Sequence, residues 1–584
     1  MNPTPLARLR HLGPALLTAL AACHGDPAID DTDLHADTDG PRYATEFTVV
    51  TVDGAATAAT QLAVQACAGL SNRTLGGSIY VSRGADDEAW LDTLGVTASR
   101  TIDAAAFLAE CGAAFPTCVR YDYAAQQRLL PAVLSAAAAN GAVPLDVGMD
   151  VPCGEVVFDA TTELRDATPH DATKLVADRW LDQTTGLAML NPGYDQSGAN
   201  NTNPAIVRDM APALVDLVFT RRLFVTFLVN GCVAGDPERD LMQSIVDRGA
   251  WTNPIEVYGY NNSWNVAGGY LYEAQTRCLE SRNMGAIASE TYHLSFLSTR
   301  RAPITDPSEL VHTEPEALTY DPATTYVAFV IGDGDNIAYL QSTRAAWLRE
   351  RLDACAADPA SCAPLTWSIS PHIARLAPDL LAWYFTTSHE TGKDTFILPP
   401  SGHLYAYPTS LSPEAQDGFI AATEADARLL GTTGVVHWDW LDSWQDAQTT
   451  FLPKYAKKDG AVRGLFAVNV PYLIEPFPSW PADKFYEVLE GADGGSVVLF
   501  RQREWRGVDG TGSAQEAPFR LTPASMEAEI AGYPPGTVTW VYMTSDGGLN
   551  LQNSFMALTK LLPERVRLVS TDTAAALALE AAAR

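Results

Sequence analysis

Apolar residues along the chain fall into two recurring patterns. Short β-branched or aromatic runs read as strands, and longer stretches with apolar residues every three or four positions read as helices. In the first half the strand-like runs are 46–52, 77–81, 223–229, 254–260 and 285–288, with helix-like stretches at 58–70 and 124–140. This alternation predicts small α/β units. A polar segment at 191–203 reads as a surface loop, and the proline-containing stretch 302–315 marks a boundary. Beyond it come eight strand candidates, at 327–331, 365–369, 395–398, 434–438, 464–468, 496–500, 537–542 and 566–570. Helix-like stretches at 337–352, 376–387, 413–430, 481–490, 523–531 and 551–562 separate most of them, several opening on proline, which suits a first helical turn. The expected fold class is therefore α/β, with small N-terminal α/β units followed by a (β/α) barrel-like C-terminal domain. A doubly wound open sheet is the alternative that strand counting leaves open. The expected boundaries are 43–150, 151–245 and 246–320 for the three N-terminal units and 321–584 for the barrel-like domain.

The chain of 584 residues has room for several domains, and its 70 acidic against 39 basic residues give a formal charge of −31. Such a surface repels phosphate backbones, which speaks against a nucleic-acid partner. The first residues place Arg8 and Arg10 ahead of an apolar run and then Leu20-Ala21-Ala22-Cys23, the pattern of a lipoprotein signal peptide (1–22) cleaved before an acylated Cys23. An Asp-rich stretch, 23–42, reads as a flexible tether. The expectation is an exported, lipid-anchored protein of the bacterial cell envelope, touching the membrane only through that lipid. Eight further cysteines predict disulfides. The close pairs Cys111/Cys118 and Cys355/Cys362 are spaced to close small loops, while the partners of Cys67, Cys153, Cys232 and Cys278 stay open.

Candidate chemistry sits where strands end. The strand at 327–331 runs into Gly332-Asp333-Gly334-Asp335-Asn336, and that at 395–398 into Pro399-Pro400-Ser401-Gly402-His403-Leu404-Tyr405-Ala406-Tyr407-Pro408. In a barrel these loops share one rim with Ser370 and His372, Asp439 and Asp442, Asn469, Arg501 and Glu504, and Ser545 and Asp546, ringed by Trp367, Trp438, Trp440, Trp444 and Trp505. Two carboxylates across a cleft can divide acid and base work. Aromatic rings suit the C–H face of a sugar or, equally, core packing. Asp333 and Asp335 have three open readings: ligands of a divalent cation, catalytic carboxylates, or acceptors in a tight turn. HExxH, GxGxxG and P-loop patterns are absent from the sequence, which gives nucleotide cofactors no support and leaves a cation near Asp333 and Asp335 as the one cofactor to consider.

Taken together, these segments resemble the GxGYxYP family of putative glycoside hydrolases. The motif reads Gly402-His403-Leu404-Tyr405-Ala406-Tyr407-Pro408 here, and the resemblance extends to Gly69-Leu70-Ser71-Asn72-Arg73, Phe329 to Asn336, Trp367-Ser368-Ile369-Ser370-Pro371 and Pro400-Ser401-Gly402. It implies the same domain order and hydrolysis of a carbohydrate. On that reading Asp333 and Asp335 lead as catalytic carboxylates, Asp439 is their first partner, and Asp546 and Glu504 follow. Asn336, Ser401, Gly402, His403, Tyr405, Tyr407, Trp367, Trp438 and Trp440 would contact the sugar. A glycan-binding protein without catalysis and a metal-assisted carbohydrate esterase or deacetylase are the rival readings. Leu404 departs from the motif, which has a second glycine there, and so lacks glycine's access to positive φ or close backbone approach.

Overall fold

The computed structural model describes residues 43–190, 213–228, 230–259, 278–470, 475–507, 517–544 and 551–584, with the side chains of Asn469, Val470 and Ala517 left aside. The expected signal peptide and tether, the polar loop at 191–203, and Ser545 and Asp546 lie outside these residues.

Three parallel sheets form the N-terminal half. Strands β1 (Thr48–Thr51), β2 (Ile79–Ser82) and β3 (Arg100–Asp103) pair in the order β2-β1-β3. A second sheet, ordered β5-β4-β6, takes β4 (Thr117–Tyr121), β5 (Val143–Asp146) and β6 (Glu155–Asp159). The third takes β7 (Gly186–Met189), β8 (Leu223–Thr226), β9 (Ile255–Tyr258) and β10 (Met284–Ile287) in the order β10-β9-β7-β8, leaving β10 at its edge. The expected cuts at 150 and 245 each fall inside one of these sheets, because β4 pairs with β6 as well as β5, and β7 with β9 as well as β8.

All eight strands counted beyond residue 320 form, and seven of them close a ring. The eight are β11 (Thr325–Ile331), β12 (Leu365–Ser368), β13 (Asp394–Ile397), β14 (Gly434–Trp440), β15 (Gly464–Val470), β17 (Ser496–Phe500), β19 (Val538–Met543) and β20 (Val566–Val569), and two further strands, β16 (Tyr486–Glu490) and β18 (Glu504–Trp505), accompany them. Parallel pairing runs from β11 to β12 to β13, crosses to β14 through a bridge between Leu398 and Val435, and continues to β15 and β17. The β17 chain runs on through Arg501–Arg503 into β18, which pairs with β19, and β19 returns to β11. Because β19 occupies one side of β11 along Tyr326–Ile331, β20 pairs on the other side, at Thr325–Ala328, below the short contact with β12. The eighth strand thus lies beside the first instead of closing the ring.

The side-chain alternation of strands sorts this ring into an inside and an outside. Tyr326, Ala328 and Val330, Val436 and Trp438, Phe466 and Val468, Val498 and Phe500, and Val538, Trp540 and Tyr542 fill the inside. The C-terminal helix Thr571–Ala582 adds Ala574, Ala575, Leu577 and Ala578 to the same cluster. Gly464 is needed there, since a Cβ on it would stand 3.0 Å from that of Ala575. Outward residues such as Val435 and Leu465 join the larger core under the helices.

Two expectations are corrected. The stretch 481–490 is not a helix: β16 forms an antiparallel hairpin with β17, Tyr486 facing Phe500 and Glu490 facing Ser496. The glycine-rich turn Gly491–Gly495, closed by Gly491 N–H on the Gly495 carbonyl (2.9 Å), favours this over a helical exit. Cys111 and Cys118 do not pair. Cys111 joins Cys67, Cys118 joins Cys153, Cys232 joins Cys278, and only Cys355–Cys362 follows the close spacing. Cys111 lies on the helix Ala104–Ala114 that packs on helix Ala58–Thr74, whereas Cys118 already belongs to β4 of the next sheet, so the two thiols face different layers. Four disulfides among the described residues fit an oxidising, extracytoplasmic compartment. No helix among them is long and apolar enough to cross a membrane.

Candidate active site at the mouth of the barrel

The loop after β11 is built so that one carboxylate is tied and the next is not. Asp333 has φ of 60°, and its Oδ2 accepts from Arg344 Nη2 at 2.8 Å, while Arg344 Nε donates to the Gly332 carbonyl at 2.9 Å. The Asp333 N–H donates to the Tyr542 hydroxyl (3.3 Å), and Gly334 N–H to Ser368 Oγ (2.9 Å). Both glycines are obligatory: a Cβ would fall 1.8 Å from the Ser368 carbonyl oxygen at Gly334 and 2.5 Å from the Tyr542 ring at Gly332. Asn336 caps the helix Ile337–Gln341, its Oδ1 accepting from Ala338 N–H (3.0 Å) and Tyr339 N–H (3.3 Å), so its side chain serves the backbone. Asp335 lines a pocket with Ala286, Ser370, His372, Pro399, His403 and Tyr405. Burial, reinforced by the neighbouring charge of Asp333, pushes its carboxyl up to about 7.

The loop after β13 is spent largely on itself. Ser401 Oγ lies 2.9 Å from the carbonyl oxygens of both Ala406 and Trp438, between which its single proton is shared, and accepts from Trp438 N–H (3.1 Å). Gly402, at φ 112°, leaves only 2.7 Å between a would-be Cβ and Thr423. Trp438 is fully buried inside the barrel, its indole N–H on the Ala406 carbonyl (2.8 Å), and the rings of Tyr405 and Tyr407 pack on it with centroids 4.3 and 5.1 Å away. Leu404 is buried over Gly285, where a Cβ would come within 2.8 Å of it. The motif's departure is thus absorbed by a glycine in the N-terminal half, and no positive φ is required of Leu404.

His403 is engaged at both ring nitrogens, Nδ1 with Asp426 Oδ2 at 2.7 Å and Nε2 with Glu256 Oε1 at 3.3 Å. Burial opposes its charge, but Asp426 and Glu256 outweigh it and lift the imidazole to about 9. His372 goes the other way: burial and the cation of Arg375 hold it well below the ordinary value. Arg375 donates to its Nδ1 (3.0 Å), leaving Nε2–H to donate to the His403 carbonyl (2.5 Å). Glu256 belongs to β9 and was not singled out by sequence reasoning. The available signal was a carboxylate inside the apolar run Ile255-Glu256-Val257-Tyr258.

Other expected rim residues are placed differently. Asp439 is wholly buried on the outer face of β14, accepting from Thr409 Oγ1 (2.5 Å), with His437 Nε2 3.7 Å away. Strand alternation accounts for this: Trp438 points in, so its neighbours point out, and His437 stacks against Phe451 under the helices. Trp367 likewise faces the outer core. Trp440, at the end of β14, remains partly exposed beside Tyr407. Glu504 is the partner of Tyr542 in register and shares its inward face, held by Arg506 Nε (2.9 Å) and by Gln502. Among the described residues no group of three or more histidine, cysteine, aspartate or glutamate side chains is arranged to hold a metal ion.

A pocket at the carboxyl ends of parallel strands thus holds a half-buried carboxyl raised towards neutrality, an arrangement able to supply acid–base chemistry. Residues 323–474, which carry both loops, match the family described as GxGYxYP putative glycoside hydrolase C-terminal domain. The fold is similar to that of a crystal structure of a putative hydrolase from Bacteroides thetaiotaomicron VPI-5482, 17% identical, over 92% of this chain and 95% of that one, with a TM-score of 0.65. A 4-alpha-glucanotransferase from Thermococcus litoralis aligns over 42% of this chain and 39% of its own at 13% identity, with a TM-score of 0.28. No curated protein matches the chain.

Proposed function

We propose that the protein is a glycoside hydrolase whose general acid is Asp335. The observation that carries this reading is the Asp333/Asp335 contrast. One carboxylate is held by Arg344, and its charge, on top of burial, keeps its neighbour protonated close to neutral pH. A protonated Asp335 donates its proton to the leaving glycosidic oxygen as the C–O bond breaks, and water supplies the hydroxyl to the other sugar. Glu504, on the inward face two strands from β11, is the second carboxylate, in place of Asp439, which points away from the interior on the outer face of β14. Tyr405 and the partly exposed Trp440 offer the sugar aromatic surface. The family match of the segment that holds both loops supports carbohydrate as the substrate class.

The mature chain is tested by reducing-sugar release on a broad panel of plant, microbial and host glycans, with Asp335→Asn as the control. Cleavage that the variant loses supports the reading, and cleavage that the variant keeps overturns it for Asp335. Binding of a glycan without cleavage would identify a capture protein instead. By the same reading Cys23 carries the lipid that holds the chain on the envelope, and Cys23→Ala would release it from the membrane fraction.

A further inference from the structure

We propose that Glu256, carried by the N-terminal half, is a positioning residue for the active centre in the barrel: acting through His403, it seats the loop that walls the pocket beside Asp335. The proposal rests on the reading of that pocket as the active centre.

As the edge strand of its sheet, β10 presents a row of backbone groups of the kind natural proteins cover. Here the cover is the signature loop of the barrel. Tyr405 N–H donates to the Ala286 carbonyl (2.9 Å) and Ala286 N–H to the Tyr405 carbonyl (3.1 Å). On one side of this bridge Leu404 packs over Gly285. On the other, Glu280 accepts from Tyr407 N–H and Asn283 Oδ1 from Ser412 N–H (2.8 Å). The Tyr-x-Tyr spacing is therefore read by backbone pairing, with the rings turned onto Trp438 inside the barrel.

Backbone pairing alone fixes a strand's height poorly when one register resembles the next. The charged cluster supplies the missing constraint. Glu256 accepts from Arg375 Nη2 (2.5 Å) through Oε2 and meets His403 Nε2 through Oε1. Arg375 donates to His372, and His372 returns to the His403 carbonyl. The contacts form a closed circuit, with Asp426 of helix Pro413–Leu430 completing the charge balance from the barrel side. A buried network whose members are all engaged selects one geometry more than it adds stability. His372 and His403 are themselves walls of the pocket that holds Asp335.

The groups facing His403 are Glu256 from β9, Asp426 from the helix, and Arg375 and His372 from the segment after β12. An imidazole raised above its ordinary value of about 6.5 contributes fully below that value and loses its contribution as pH rises through about 9. With Glu256 neutralised only Asp426 raises it, and the loss moves to lower pH.

The test compares the parent mature chain with Glu256→Gln, Asp426→Asn and Leu404→Ala. Amide hydrogen-exchange protection of Tyr405 and Tyr407 is followed from about pH 6 to about pH 10, spanning the ordinary and raised imidazole values. Hydrolysis of the glycan panel is profiled over the same range. In the parent, protection and activity fall together as pH passes about 9. In Glu256→Gln the fall comes about one pH unit or more lower, and Tyr405 exchanges about tenfold faster than in the parent near pH 8. Asp426→Asn, which removes the other carboxylate, shifts the same way and decides the matter should Glu256→Gln not fold. Leu404→Ala loosens the seat equally at every pH, the signature of packing alone. Protection in both carboxylate variants that tracks the parent at all pH values, or that falls in parallel with Leu404→Ala, overturns the proposal. If the parent cleaves no glycan, the hydrolase reading fails while the exchange data still decide the role of Glu256.

Discussion

The two loops that follow β11 and β13 have similar compositions and opposite uses. Both are short, glycine-bearing and rich in polar side chains, and both stand at the carboxyl ends of strands of the ring, with β12 between them. In the Asp333–Asn336 loop the backbone and Asp333 are tied down by Ser368, Tyr542 and Arg344, and Asp335 is left facing a pocket. In the Ser401–Pro408 loop nearly every polar group is satisfied from within the protein. A loop whose donors and acceptors are nearly all used holds shape, and a loop that sets an acid beside a like charge, with the nearest cation paired to that other carboxylate, holds reactivity. Motif density therefore marks structural importance as readily as chemistry.

The sharpest way to break this comparison is Asp335→Asn. Loss of a general acid is expected to lower kcat by about 10²–10⁴-fold, read from initial rates on whichever glycan the parent cleaves. The same variant probes stability with the opposite sign. A carboxyl raised to about 7 folds best while protonated, so its ionisation lowers stability as pH climbs from about 4 through about 7. Asp335→Asn is then expected to melt roughly 2–4 °C higher than the parent above pH 7 and to match it at acid pH.

On the other loop the large effects should be structural. Leu404→Ala opens a hole over Gly285 and is expected to cost about 2–5 kcal/mol in denaturant unfolding, with kcat per folded molecule reduced far less than by Asp335→Asn. An equal loss of both would collapse the distinction between the loops. A gentler change is Arg344→Met, which strips the cation from Asp333 and removes an influence that lowers the Asp335 carboxyl. The basic limb of the pH–rate profile is expected to move to higher pH, and no movement would mean that the pair does not set the acid. Smallest is Asn336→Ala, which removes a helix cap and should cost about 1 kcal/mol, leaving the specificity among glycans unchanged, whereas a sugar contact would alter it.

Much of the barrel was legible because parallel strands buried on both faces are written as nearly continuous apolar runs, as in Tyr326-Val327-Ala328-Phe329-Val330-Ile331. Proline and serine or threonine caps fixed helices such as Pro413–Leu430 and Pro523–Ala531 at the expected ends. The run 481–490 misled because its residues tolerate either state, and the hairpin turn after it decided the outcome. Asp439 misled because its position at a strand end was legible while its parity within the strand was not.

The sequence by itself determined the alternation of elements and the carboxylates available at strand ends, since these depend on patterns local to the chain, whereas the need for Gly332 and Gly334 comes from Tyr542 and Ser368 on other strands. Tertiary structure decided that β19 rather than β20 closes on β11, which cysteine meets which, and that Glu256 from β9 faces His403 from the far side of the boundary near residue 320. These are pairings across long stretches of chain, chosen by whole-sheet register and by the cost of burying a charge alone. No local pattern carries that information.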